Sequence, residues 1–142
     1  MINKKITNLY VKISVLIAFV CSMFLSINVN AALLYQNITA AELYERITDG
    51  PKGFTIVDVR PSTDYDTAHI PGAVNIPLRE LGYRLYELKK TDDIITYCQL
   101  GLQSKIAAQV LANAGFKDVY NLTGGFIAWT YPIETDSGRV LI

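Results

Sequence analysis

The chemistry of this chain centres on one thiol. Cys98 follows directly on Ile94-Ile95-Thr96-Tyr97, an apolar, β-rich run, and precedes Gln99-Leu100-Gly101-Leu102-Gln103-Ser104. Ser104 reads as the N-cap of the next helix, which puts the thiol on a short loop between a strand end and a helix start. If that loop curls around the sulfur, backbone N–H groups and the positive end of the helix dipole point at it and favour the thiolate. A thiolate is a nucleophile, and cysteines at helix N-termini ionise well below the free value of about 8.5. Gly101 supplies a residue without Cβ clashes where the loop must turn tightly. The competing reading is an inert, buried Cys acting as a small hydrophobe.

The surrounding segments alternate in type. Thr39-Ala40-Ala41-Glu42 is a capping box that opens a helix through about Thr48, ended by Asp49-Gly50-Pro51. Phe54 to Val59 reads as a buried strand stopped by Arg60-Pro61. Ser62 to Thr67 fits one or two helical turns, and Pro71-Gly72 a turn before a short strand from Ala73 to Ile76. Leu81, Leu85 and Leu88 predict a helix over Leu78 to Lys89, and Ile106, Ala107, Val110 and Leu111 mark one face of a helix over Ser104 to Ala114, closed by Gly115. Val119 to Leu122 is a third strand beside Ile94–Tyr97 and Phe54–Val59, and Gly124-Gly125 leads into a short helix over Phe126 to Trp129 that Pro132 stops. Strands alternating with helices predict an α/β fold, a parallel β-sheet with helices on both faces. In such sheets ligands bind outside the carboxyl ends of the strands, where Cys98 stands.

The first thirty-one residues are a different kind of sequence. Lys4, Lys5 and Lys12 precede an apolar stretch from Ile13 to Ile27, followed by Val29-Asn30-Ala31. This pattern predicts a cleavable signal peptide over residues 1–31 and a domain over 32–142. The fifteen-residue stretch makes about 22 Å of helix, short of the roughly 30 Å hydrocarbon core, so export with removal is expected over stable membrane insertion. An uncleaved anchor facing outside the cytoplasm is the alternative; Val20 before Cys21 argues against a lipoprotein site. The expected location is periplasmic.

The 142 residues carry thirteen Lys/Arg against thirteen Asp/Glu, but removing residues 1–31 leaves ten against thirteen, so nucleic acid is not an expected partner. The same cut removes Cys21 and leaves Cys98 as the only thiol, with no internal disulfide possible. A composition of 51% hydrophobic and 18% charged residues excludes a disordered tail or a fibre.

Several motifs together resemble the rhodanese-like sulfurtransferases over nearly all of residues 33–135. They are Asp58-Val59-Arg60; His69-Ile70-Pro71-Gly72-Ala73-Val74-Asn75-Ile76-Pro77; Tyr97-Cys98 with Gly101 and Ser104; and Gly115-Phe116 through Val119, Leu122, Gly124-Gly125 and Trp129. The nearest likeness is to small exported single-domain rhodaneses of the phage-shock type. The resemblance implies a catalytic Cys98 that takes a sulfane sulfur from thiosulfate, a persulfide or a polysulfide and passes it to a thiol or cyanide. Gln99, Leu100, Gly101, Leu102, Gln103 and Ser104 would bind the substrate through their amides. It implies no metal and no organic cofactor; the partners are small sulfur donors and thiol acceptors, with a thioredoxin-like reductant as a candidate. It also implies an Arg60–Asp64 ion pair, a scaffold role for Asp58, and a turn-fixing role for His69 in place of general-base work. Tyr97 and Trp129 are expected in the core or wall.

The loop departs from the family pattern in lacking a basic residue: Leu102 and Gln103 stand where Arg or Lys often occurs, and Lys105 is adjacent on the helix. This predicts weak thiosulfate turnover and better use of organic persulfides or polysulfides. Ala68, where Gly usually precedes the His, reads as a local packing change. A phosphatase or arsenate reductase needs Arg six positions after the Cys, where Ser104 stands. A dithiol oxidoreductase needs a second Cys where Gly101 stands. The remaining alternative is a low-turnover binding or redox-sensing module that keeps the fold and the thiol.

Overall fold

The computed structural model describes residues 12–15, 34–50, 53–135, 137–138 and 140–141. The chain divides into two units, residues 1–32 and 33–142. The expected leader falls in the first; apart from a helical turn with exposed side chains at 12–15, it lies outside the described residues. Among the described residues no helix is long and apolar enough to cross a membrane.

In the second unit, short apolar runs pair as a five-stranded, all-parallel sheet. Its strands are β1 (Gln36–Ile38), β2 (Phe54–Asp58), β3 (Val74–Asn75), β4 (Asp93–Tyr97) and β5 (Val119–Leu122), in the order β1-β5-β4-β2-β3. Because side chains alternate across a strand, each central strand feeds two cores. Val57, Ile94 and Val119 pack on one face with Leu81, Leu88, Ala107, Ala108, Leu111 and Phe116. Ile56, Ile95, Tyr97 and Leu122 pack on the other with Leu43, Ile70 and Trp129. Helices therefore cover both faces, as the α/β reading requires.

Helix α1 (Ala40–Asp49) starts at the expected capping box: the Glu42 N–H donates to Thr39 Oγ1 at 3.2 Å, and the Thr39 N–H donates to the Glu42 carboxylate at 2.8 Å. Helix α2 (Ser62–Thr67) follows β2. The long helix expected over 78–89 is instead a four-residue α3 (Leu81–Arg84) running into a 3₁₀ turn, Leu85–Glu87. Gly82 weakens the helix interior, and the tighter turn sets Leu85 and Leu88 three apart on the same side, toward the core. Helix α4 (Leu102–Asn113) starts two residues earlier than expected, so Ser104 lies in its first turn and Gly101 is the N-cap. Its buried stripe is Ser104, Ala107, Ala108 and Leu111, and Ile106, expected on that face, is exposed. Two alanines let α4 approach the sheet closely, and Ile106 falls a third of a turn off that line. A 3₁₀ turn covers Gly125–Ala128, and β6 (Ile133–Glu134) pairs antiparallel with β7 (Val140–Leu141). Strands β1, β6 and β7 are too short to show period-two patterning and were not expected.

Candidate active site

The loop after β4 wraps the sulfur as its sequence suggested. Cys98 Sγ accepts the N–H of Gly101 at 3.2 Å and that of Ser104 at 3.4 Å, with the Ser104 hydroxyl 3.5 Å away. The first N–H groups of a helix have no intrahelical acceptor, and Gly101 as N-cap has no side chain to supply one. Cys98 sulfur takes that place. Burial pushes the thiol up, and hydrogen bonds from Ser104 and from the amides of Leu100 and Gly101 outweigh it, so the thiol lies below its ordinary value.

Amides that face inward force their carbonyls outward, where each needs a donor. The 3₁₀ turn after β5 supplies them: the Phe126 N–H donates to Cys98 O at 2.8 Å and the Ile127 N–H to Gln99 O at 3.2 Å. This contact is so close that a Cβ on Gly125 would overlap Cys98 O and stand 2.6 Å from Gly101 N. Gly101 (φ +84°) and Gly125 (φ +63°) both hold left-handed backbone. The sequence pattern contained Gly125, but its part in shaping the loop depends on a contact between segments 24 residues apart.

Asp58 and Arg60 brace the other side. The buried Asp58 carboxylate accepts the Arg60 N–H at 2.9 Å and its guanidinium at 2.6–3.0 Å. Arg60 Nη2 also donates to Ala68 O at 2.7 Å and Nη1 to Gln99 Oε1 at 3.2 Å, with the guanidinium over the Phe126 ring. The expected Arg60–Asp64 pair is therefore replaced by Arg60–Asp58. A fully buried carboxylate needs a partner, and the Arg two residues on reaches it in a planar fork. His69 fixes a turn: its Nδ1 donates to Tyr65 O at 2.8 Å, its ring stacks on Tyr65 at 3.7 Å, and its backbone pairs with Glu134. Its hydrogen bonds do not involve Cys98. Tyr97 and Trp129 are buried in the core, and burial, then the Asp58 charge, pushes the Tyr97 phenol well above its usual range.

Above the sulfur lies a cavity of about 260 Å³ lined by Cys98, Gln99, Leu100, Leu102 and Gln103. Cys98 is 2% exposed, so it is both buried and the floor of an open hollow. Of the seven residues expected at the site, Cys98, Gly101 and Ser104 make the sulfur contacts, while Gln99, Leu100, Leu102 and Gln103 are exposed around the mouth. Leu100 (59%), Leu102 (65%), Ile106 (57%) and Ile127 (62%) leave apolar surface on the loop, on α4 and on the adjoining turn. Lys105 is exposed on α4. The residue that sequence reasoning missed is Asn121, whose Oδ1 accepts the Ser104 hydroxyl at 2.6 Å.

This arrangement can hold an anionic sulfur by main-chain dipoles, with no charged side chain from residue 99 to 104. Comparison with known proteins places the chain in a family. A family model described as Rhodanese-like domain matches residues 39–131. The chain is 41% identical over 86 residues to the Putative sulfur carrier protein YrkF of Bacillus subtilis (strain 168), covering 61% of this chain and 46% of that protein. It thus spans about half the length of the curated relatives it matches. It is 37% identical over 78 residues to the Thiosulfate sulfurtransferase GlpE of Shewanella oneidensis, covering 55% of this chain and 77% of that one. Among solved structures, the Rhodanese-like domain of the Anabaena sp. Alr3790 protein superposes with a TM-score of 0.65 at 33% identity, covering 72% and 82% of the two chains. With sheet topology, family model and sequence in agreement, this chain belongs to the rhodanese-like family.

Proposed function

We propose that Cys98 is the catalytic nucleophile of a sulfurtransferase that carries sulfane sulfur as a persulfide. The observation that carries this reading is the ring of inward-facing amides on Cys98 Sγ, which suits a sulfur that stays anionic through both half-reactions. In the first, Cys98–S⁻ attacks the sulfane sulfur of a donor R–S–S⁻; the new S–S bond forms as the old one breaks, giving Cys98–S–S⁻ and R–S⁻. With thiosulfate the leaving group is sulfite. In the second, an acceptor thiolate attacks the outer sulfur, restores Cys98–S⁻ and leaves as its own persulfide. Neither step changes the number of electrons or needs a metal, and every leaving group departs with the pair of the bond that breaks.

Donor identity follows from the mouth of the cavity. A dianion gains from a nearby cation, and the loop offers only Gln99 and Gln103, on either side of Leu100 and Leu102. The apolar rim instead suits an organic persulfide or polysulfide, whose carbon or sulfur chain buries against Leu100 and Leu102. A low-molecular-weight thiol or a thioredoxin-like protein thiol serves as acceptor. Export ahead of this chemistry belongs to the same reading, supported by the basic and apolar pattern of residues 1–31, and an intact Met1 on the mature protein would remove it.

Intact-mass measurement after separate incubations with thiosulfate and with an organic polysulfide tests the central step. The expected result is a gain of one sulfur atom on Cys98, absent in Cys98→Ser and lost on adding a thiol. A free Cys98 that gains no sulfur from either donor class overturns the reading in favour of a binding or redox-sensing module.

A further inference from the structure

Below the loop, one row of side chains on the α4 face of the sheet is polar where an apolar row would be expected. Backbone register aligns Asn37 of β1 with Asn121 of β5, and Asn121 with Thr96 of β4. Asn121 and Thr96 are fully buried, as is Ser104 above them on α4. Thr96 Oγ1 lies 3.0 Å from the carbonyl oxygens of both Ser104 and Tyr120, which share its one proton as alternative acceptors. Asn121 Nδ2 donates to Asn37 Oδ1 at 3.2 Å, which orients its amide with Oδ1 toward Ser104. A hydroxyl has one proton, and that of Ser104 has two acceptors: Asn121 Oδ1 at 2.6 Å and Cys98 Sγ at 3.5 Å. The shorter distance is typical of a strong O–H···O bond.

We propose that Asn121 is a positioning residue for Cys98, holding the Ser104 hydroxyl proton on its own carbonyl oxygen and so leaving the sulfur mainly to main-chain donors. This assignment deepens the reading of Cys98 as the reactive thiol. A hydroxyl that turned fully to the sulfur would hold the thiolate more tightly and blunt it, because nucleophilicity falls with basicity. Asn121 limits that loss. The charged groups on the flanking elements are the Asp58–Arg60 pair at the end of β2, which reaches the loop through Gln99, exposed Lys105 on α4, and Asp93 at the far end of β4, paired with Arg46. The hydrogen bonds of Sγ involve none of these, so the Ser104 proton is the adjustable donor.

The test is the pH dependence of Cys98 alkylation by a neutral haloacetamide, in the wild type, Ser104→Ala, Asn121→Leu and the double variant. Asn121→Leu frees the hydroxyl, and the ionisation midpoint is expected to fall by about one pH unit, a tenfold change in ionisation. The plateau rate at high pH falls about threefold. Ser104→Ala is expected to move the midpoint by less than about half a unit in the wild type and to raise it by about one unit in the Asn121→Leu background, the excess being their coupling. Equal shifts in both backgrounds overturn the proposal. If Asn121→Leu does not fold, Ser104→Ala alone decides, since a rise of about one unit in the wild type means that the hydroxyl already serves the sulfur. Alkylation involves no sulfur transfer, so failure here leaves the persulfide reading standing, and failure of the mass test leaves Asn121 to be judged on its own.

Discussion

Gly125→Ala is the sharpest test of the claim that the turn after β5 shapes the sulfur cradle. A Cβ there overlaps Cys98 O and stands 2.6 Å from Gly101 N and 2.8 Å from Gln99 C. All three are backbone atoms, so no flexible side chain can swing aside. The left-handed conformation at φ +63° costs an alanine about 1–2 kcal/mol. Overpacking adds roughly 1–3 kcal/mol. Gly72→Ala is the control: φ is +75°, but nothing lies within 4 Å of the new Cβ, so it carries the conformational cost alone. At about 5 °C per kcal/mol for a domain of this size, the melting temperature falls by about 10–25 °C for Gly125→Ala and about 5–10 °C for the control. Paired thermal melts and alkylation profiles measure both effects, since a loop pushed off the turn also loses its inward amides and the thiol midpoint climbs toward that of free cysteine. If the two variants melt together and Gly125→Ala keeps the wild-type thiol, the close approach of the two segments does not shape the site.

The depressed thiol makes Cys98 alkylation persist to lower pH than that of free cysteine: the thiolate is the reactive form, and its folded-state midpoint lies lower. A rate profile coincident with that of a small thiol would refute the cradle. Asp58→Asn leaves the Arg60 guanidinium buried without its counter-charge and is expected to cost about 3–5 kcal/mol in denaturant melts. Loss of no more than a surface ion pair would contradict the bracing role. Leu102→Arg adds a cation at the rim; about 6 Å from a dianion in water it is worth roughly 1.4 kcal/mol. That predicts a gain in thiosulfate kcat/KM on the order of tenfold, shrinking with added salt, and no gain at low ionic strength would mean that loop charge does not set donor choice.

The strand runs around Ile94–Tyr97 and Phe54–Asp58 were legible because both faces of a central parallel strand are apolar, and the α1 cap because its residues are local. The loop was legible for the same reason: Cys98, Gly101 and Ser104 lie within seven positions. What sequence could not supply was contact at long range. Asn121 meets Ser104 only once β5 pairs beside β4, and Gly125 meets Cys98 only once the turn closes over the loop. Asp64 and Asp58 are both carboxylates near Arg60 in sequence; burial, which composition does not reveal, selects Asp58. Periodicity misplaced Ile106 because the helix began two residues early and its close-packed side is made of alanines. In Leu78 to Lys89 the leucine spacing was real, but a 3₁₀ turn satisfies it as well as a longer helix does.

Since peptide groups do the holding at Cys98, three positions of the loop, Leu100, Leu102 and Gln103, contribute their side chains to nothing but the doorway, while Gln99 also ties the loop to Arg60. Those three can be exchanged without disturbing the cradle they surround. Reactivity and clientele are thus inscribed separately in one six-residue ribbon, and a lineage can change customers by surface substitution while the machinery beneath stays as it was.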